Sequence, residues 1–399
     1  MNPKFIQKET VRVTQELNFW NKRLIEDGNY LNMKELAKQY SQRFKLRGDI
    51  NDLLIADSLL NTASVKINGK DVAVLYAQSQ EAITQHRFAD AYRYNLQAEK
   101  QDPNPYVNHL LIFDAAMELG KYYEASSKIS NLRDKKDFNY LLRKAKLEDH
   151  YGHLDKAIVL MEDAVAVMKG KRKSSYLWAL SNLADMYGHA GRVKESYEAY
   201  LEVLAEDSAN LYCLKGIAWI AYSNDKNTAE AKRIINYILS QTHMPDLLLM
   251  LAEIEEWEGA SQAKNNYITK FIGEVNKPQY GNMYNKYLIH LYSEELKQYD
   301  KALELALKET NYRPTPETYD WLAWVYYRKG EKQKAFDTAM QYVFNKSFEP
   351  NAMIHTAYIL ADNNRKDDAV KLFKQCIESS FELGPHATKQ IKDKLESMR

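Results

Sequence analysis

Residues 316 to 331 read Pro-Glu-Thr-Tyr-Asp-Trp-Leu-Ala-Trp-Val-Tyr-Tyr-Arg-Lys-Gly-Glu, and residues 175 to 192 read Ser-Tyr-Leu-Trp-Ala-Leu-Ser-Asn-Leu-Ala-Asp-Met-Tyr-Gly-His-Ala-Gly-Arg. In the first stretch Leu322, Val325 and Tyr326 recur at helical spacing, Pro316 suits a first helical turn, and Gly330 suits a stop. A second amphipathic run follows at once, with Ala335, Ala339 and Tyr342 on one face. The spacing predicts two helices joined by a tight turn.

The pattern recurs along the chain. Glycines at Gly48, Gly120, Gly152, Gly191, Gly259 and Gly330 are separated by one or two multiples of a period near 35 residues, as a repeat architecture requires. About five residues past each turn stands a small residue that opens the second helix: Ala125, Ala157, Ser196 and Ala335, with Lys264 as the exception. The same slot continues where glycine is missing, as Ala91 after His86, Ala231 after Lys226, Ala302 after Lys297 and Ala369 after Asn364. Pro245, Pro278, Pro314, Pro316 and Pro350 fall between units, where a residue without an N–H does least harm. No alternating β-branched run bounded by turn signals is present, so the expected fold class is all-α.

Composition excludes several alternatives. The chain has 399 residues, 45% of them hydrophobic, with 14 Gly and 9 Pro, which argues against disordered and collagen-like chains. Cys213 and Cys376 alone cannot build a disulfide framework and read as small buried hydrophobes. No apolar stretch is long enough to cross a bilayer as a helix. The formal net charge is +1, so the whole-molecule field favours neither nucleic acid nor an anionic membrane.

The quoted stretches resemble tetratricopeptide repeats, a family of 34-residue helix-turn-helix units. The matching residues are Tyr319, Leu322, Ala323, Tyr326, Gly330, Ala335 and Ala339 in one unit, and Leu180, Leu183, Ala184, Tyr187, Gly191, Ser196 and Tyr200 in another. The resemblance covers residues 34–382 and implies a right-handed superhelical solenoid of nine to ten units, the first degenerate. Residues 1–33 and 383–399 are read as capping helices. The N-terminal cap carries Val11, Val13, Leu17, Phe19, Trp20, Leu24 and Ile25 among polar residues. One hairpin cannot enclose its own apolar face, so units of this kind are stable only when stacked.

The resemblance also implies that fixed positions of each first helix line a concave groove. Those positions hold Asp114, Glu118, Asp149, Asp185, Asp246, Glu253, Glu256, Glu294, Glu295, Glu317, Asp320 and Asp362, opposed only by Lys146 and Arg328. They also hold the rings Tyr76, Trp178, Trp257, Tyr284, Tyr287, Trp324, Tyr327 and Tyr358. The expected groove is acidic and aromatic, suited to a cationic or aromatic segment of another protein. The Lys and Asn residues with which some relatives hold a C-terminal carboxylate are absent from the corresponding positions, which carry Tyr76 and Gln80, or Leu110 and Asp114, instead.

No phosphate-binding glycine loop, dinucleotide fingerprint, His-Glu-x-x-His or Cys-x-x-Cys is present, so no catalytic residue, cofactor or metal site is assigned. Asp149, His150, His153 and Asp155 straddle the Gly152 turn and read as turn or surface residues. The basic run Lys169 to Lys173 reads as a solvated loop without a basic groove to extend it toward nucleic acid. The expected function is a non-enzymatic protein-interaction scaffold, and the alternative is a regulator sensing a short peptide or small molecule. No signal sequence follows Met1, so the chain as written reads as cytoplasmic. Its Tyr-, Asn- and Lys-rich texture also resembles repeat proteins that Bacteroidetes export behind a lipoprotein leader, which gives the second localisation reading, with a leader trimmed away.

Overall fold

The computed structural model describes residues 4–101, 105–132 and 134–398, and among these it contains helices and turns and no strand. A long first helix, α1 (Lys4–Asp27), precedes ten antiparallel hairpins. They are α2 (Tyr30–Arg47) with α3 (Ile50–Lys66), α4 (Val72–Thr84) with α5 (Phe88–Gln101), α6 (Pro105–Glu118) with α7 (Tyr122–Ser130), α8 (Phe138–His150) with α9 (Leu154–Met168), and α10 (Lys173–His189) with α11 (Val193–Glu206). The series continues through α12 (Leu211–Ser223) with α13 (Thr228–Gln241), α14 (Asp246–Trp257) with α15 (Ser261–Val275), and α16 (Asn285–His290) with α17 (Tyr299–Tyr312). It ends with α18 (Pro316–Lys329) and α19 (Lys332–Tyr342), α20 (Pro350–Ala361) and α21 (Lys366–Glu378), and a last helix α22 (Ser380–Ser397). Between α16 and α17 the chain runs through a π-helical turn, Leu291–Glu295.

Local chemistry sets the ends of these helices. The Thr315 hydroxyl accepts from the Thr318 N–H while Thr318 reaches back to the Thr315 N–H, a reciprocal cap that starts α18 with Pro316 in its first turn. Asp71, Asp137 and Asn210 cap α4, α8 and α12 in the same sense. The hairpin turn needs a left-handed residue after the first helix. Gly330 supplies it with φ 88°, and where glycine is missing His86, Lys226, Lys297 and Asn364 take φ values of 52–59°. These four are the residues that stand in the glycine slot of the sequence pattern.

The small slot is the seam of each hairpin. Ala91, Ala125, Ala157, Ala231, Ala302, Ala335 and Ala369 are completely buried and Ser196 nearly so. Paired helices approach there because no side chain keeps them apart. Lys264, the exception, extends its ammonium to Glu256 at 2.6 Å and Glu295 at 2.8 Å. The first hairpin has its own buried small residues, Ala37, Ala56 and Ala63, and α1 closes over it with Val13 and Leu17.

The stack coils tightly enough to touch itself. A Cβ on Gly48 would meet the His243 carbonyl, one on Gly120 the Pro314 carbonyl, one on Gly152 the Phe348 ring, and one on Gly188 the Phe381 ring, each under 3.0 Å. The sequence offset is nearly constant, between five and six units of the 34-residue period. The His243 N–H donates to the Arg47 carbonyl at 2.7 Å, and the Ala89 N–H donates to the Tyr312 hydroxyl at 3.1 Å. One superhelical turn therefore rests on the next.

Candidate interaction groove

The contact between turns is organised by Arg313, 8% exposed. Its guanidinium reaches Glu309 at 3.1 Å and Glu317 at 3.4 Å on its own turn, and Glu118 at 3.7 Å on the other. It also lies over the rings of Phe88 and Trp321, 5.3 and 5.1 Å from their centroids. A planar cation able to donate in several directions and to stack suits a joint between two acidic, aromatic faces.

Most of the expected groove acids have partners. Asp114 meets Arg143 at 2.5 Å, Asp246 meets Lys215 at 2.6 Å, and Glu317 meets Lys286 at 3.4 Å. Glu118 meets Lys146 at 2.8 Å; burial opposes its ionisation, but Lys146 and Arg313 hold its carboxyl below the ordinary range. Asp185 accepts from the hydroxyls of Tyr200 and Tyr212. Glu256 lies between Lys264 and His386 of α22, 3.6 Å from the latter. Lys332 and the Tyr327 hydroxyl approach Asp362. Lys146 stood among the expected groove positions; Arg143, Lys215, Lys264, Lys286 and Lys332 did not, because they occupy other positions of the helices. Their signal is a charge pair offset by one unit: 29 residues for Asp114 and Arg143, and 31 for Lys215 and Asp246, for Lys264 and Glu295, and for Lys286 and Glu317.

Three carboxylates have deeper settings. Asp320 is 4% exposed and faces His355 Nδ1 at 3.0 Å. Glu294 lies among His290, His355 and Trp324; burial pushes its pKa up, but the His290 contact, the two imidazoles and the indole N–H bring it down to about 2. Burial pushes Glu253 up to about 7, with Glu256 adding to the rise and the neighbouring Tyr222 hydroxyl opposing it.

The rings divide as well. Trp178 is 53% exposed, and Trp257 and Tyr287 remain exposed. Trp324 is buried, stacked between His355 and Tyr327 with centroids 4.1 and 5.0 Å away. Tyr284 packs edge-on to Phe271 and Tyr280, and Tyr358 edge-on to Phe373. Of the turn residues, His150 packs at a tilt of 31° against the Tyr122 ring, and His153 contacts Glu148 at 2.7 Å. Cys213 and Cys376 are buried, and burial pushes both thiols up to about 12.

The interior is crossed by the chain's own end. Helix α22 lies against α10, α12, α14, α20 and α21. The Phe381 carbonyl accepts from Trp219 Nε1 at 2.9 Å and from Ser223 Oγ at 2.6 Å. Gly384 breaks the helical path with φ 76°, bringing its backbone against Glu253 and Trp219. Beside this helix a cleft of about 400 Å³ opens between the two superhelical turns, lined in part by Glu118, Lys146, Asp149, His189, Glu349 and Glu382. Asp149 and Glu349 are open to water yet surrounded by protein on several sides. Burial pushes the carboxyls of Asp149, Glu349 and Glu382 up; Glu382 and Asp149 raise Glu349 further, and Asp149 raises Glu382 further, with His189 and Lys286 opposing. Glu349 and Glu382 were not among the expected groove residues, because both follow from the overlap of turns rather than from position within a unit.

No protein-family model and no curated protein matches the chain. Among solved structures it is similar to a tetratricopeptide repeat protein from Parabacteroides merdae, with 17% identity, 66% of this chain and 99% of that one covered, and a TM-score of 0.38. It is similar to yeast Tom70, with 11% identity, 98% and 93% covered, and a TM-score of 0.39. It is also similar to the Cut9–Hcn1 hetero-tetramer of the APC/C, with 12% identity, 93% and 85% covered, and a TM-score of 0.47. With stacked hairpins, buried alanine seams and left-handed turn residues at the repeat period, the chain is an α-solenoid of helix-turn-helix units.

Proposed function

We propose that the chain is a non-enzymatic interaction scaffold that takes a Lys- or Arg-bearing segment of a protein partner into the cleft between its superhelical turns. The observation that carries this reading is the trio Asp149, Glu349 and Glu382. Among the described residues, neither Asp149 nor Glu349 has an ion-pair partner, and the contact of Glu382 is His189 at 3.5 Å. Carboxylates whose charged form is disfavoured by burial and by neighbouring acids in a partly enclosed cleft gain from an incoming ammonium or guanidinium, which stabilises that charged form. Exposed Trp178, Trp257 and Tyr287 supply surfaces on which apolar or cationic parts of the same segment can rest. The interior also accommodates a helix, α22, which supports the reading that its wall is suited to polypeptide.

Binding of Lys-rich, neutral and Glu-rich peptides, followed by fluorescence anisotropy at low and moderate salt, tests the proposal. Lys-rich peptides should bind best, weaken with salt, and lose affinity in the Asp149→Lys, Glu349→Lys double variant. Equal binding of the Glu-rich peptides, or unchanged affinity in the variant, would refute it.

A second reading, recognition of a short peptide or small molecule, is favoured by the size of the cleft, which falls in the range of small-ligand sites. A thermal-shift screen with cationic metabolites distinguishes the two. A rise in midpoint with a small ligand would favour the second.

A further inference from the structure

His290 and Glu294 stand one turn apart at the start of the π-helical turn, and His355 reaches them from α20. Their ligand atoms all lie within 4.8 Å of one another. His290 Nδ1 is 3.7 Å from Glu294 Oε1, and His355 Nε2 is 4.0 Å from the same oxygen. Ligand atoms around a tetrahedral ion with bonds near 2.0–2.1 Å stand about 3.4 Å apart, so small side-chain rotations close the set.

The surroundings are those that metal-binding histidines require. His355 is 7% exposed, and its Nδ1 faces both oxygens of buried Asp320, at 3.0 and 3.1 Å. A carboxylate behind Nδ1 is the partner that orients a metal-binding imidazole, and it leaves Nε2 on the side of Glu294. Trp324 Nε1 donates to Glu294 Oε1 at 2.5 Å and fixes the carboxylate, while the indole stacks on the His355 ring. The π-helical turn redirects Glu294 from the path that a regular helix would give it, a distortion common at functional sites. Glu294 and His290 keep side-chain exposures of 34% and 22%, leaving an approach for the ion and for a water ligand.

We propose that His290, Glu294 and His355 bind a first-row divalent metal ion, zinc by the donor set, with Asp320 orienting His355 from behind. Two imidazoles, one carboxylate and a water form a complete zinc shell. The ligands come from the α16–α17 and α20–α21 hairpins, with Asp320 from the hairpin between them, so the ion would pin those two hairpins to each other across α18. The site is separate from the cleft of Asp149 and does not depend on what that cleft binds.

The full chain, stripped with chelator and dialysed, is titrated with zinc chloride by calorimetry and scanned for thermal unfolding with and without zinc. A parallel cobalt(II) titration is followed by visible absorption. One equivalent should bind, raise the unfolding midpoint and give the d–d bands of a four-coordinate N/O site. His355→Ala and Glu294→Gln should abolish the response, and Asp320→Asn should weaken binding roughly 10–100-fold. His290→Ala sits on the open side and retains the fold by circular dichroism if His355→Ala does not, which keeps the test decisive. His150→Ala should change nothing. Absence of zinc binding to the folded wild-type chain would overturn the proposal, as would one-equivalent binding that survives His290→Ala but is lost in His150→Ala.

Discussion

The α-carbon of Gly188, one residue from the C-terminal end of α10, is covered by the ring of Phe381, so closely that an added Cβ would stand 2.6 Å from Phe381 Cε1. Gly188 lies in the last turn of α10 with no left-handed φ that would call for glycine, so its presence here reflects close approach rather than local backbone conformation. The contact joins the fifth hairpin to the residue that leads α22 into the interior. Gly188→Ala should therefore loosen α22 at a cost of about 1–3 kcal/mol despite its better helix propensity. Amide exchange of residues 380–397 should quicken selectively. Uniform exchange across the chain, or none, would show that the ring is not held by this contact.

Glu253 lies under the same helix, and its raised pKa couples α22 to pH. A carboxyl whose folded pKa exceeds its unfolded value favours the folded state below the unfolded pKa and loses that advantage as pH rises through the folded pKa. The window here runs from about 4.5 to about 7. The interior position of α22 should weaken across it, by at most about 3 kcal/mol. Protease sensitivity of the C-terminus should increase from pH 5 to pH 8 in the wild type, and Glu253→Gln should flatten that rise.

Arg313 holds two turns together through buried charge. Arg313→Met leaves Glu309, 3% exposed, without its cation and should cost about 3–5 kcal/mol. Adding Glu309→Gln should recover a large part of the loss, because an amide tolerates the missing charge. Denaturant midpoints of the single and double variants check this. A double variant no better than the single would place the cost in the lost stacking on Phe88 and Trp321.

Lys297 carries φ 52° in an exposed turn. A side chain there costs about 1–2 kcal/mol relative to glycine, so Lys297→Gly should raise the unfolding free energy, read from denaturant titration, by up to about 1 kcal/mol after the entropy cost of glycine. Gly191→Ala, at φ 70° with no neighbour to meet the new Cβ, should lower it by a similar amount.

The sequence by itself determined the repeat. Pro316, Gly330 and Ala335 each act through contacts a few residues long, and a period written in short-range contacts is legible in one dimension. It also set the turn conformation at His86, Lys226, Lys297 and Asn364, since a missing glycine does not remove the need for a left-handed residue. Tertiary structure decided which groove positions are free. The pitch of the coil is the sum of small rotations between hairpins, and that sum brought Arg313 onto Glu118, Phe381 onto Gly188 and Glu349 toward Asp149. Position within a unit marked Glu294 and Asp320 as acids of a wall. Glu294 meets His290 within its own turn, but only the packing of α16, α18 and α20 brought Glu294 and Asp320 to His355, because side chains from separate hairpins meet according to how the hairpins stack.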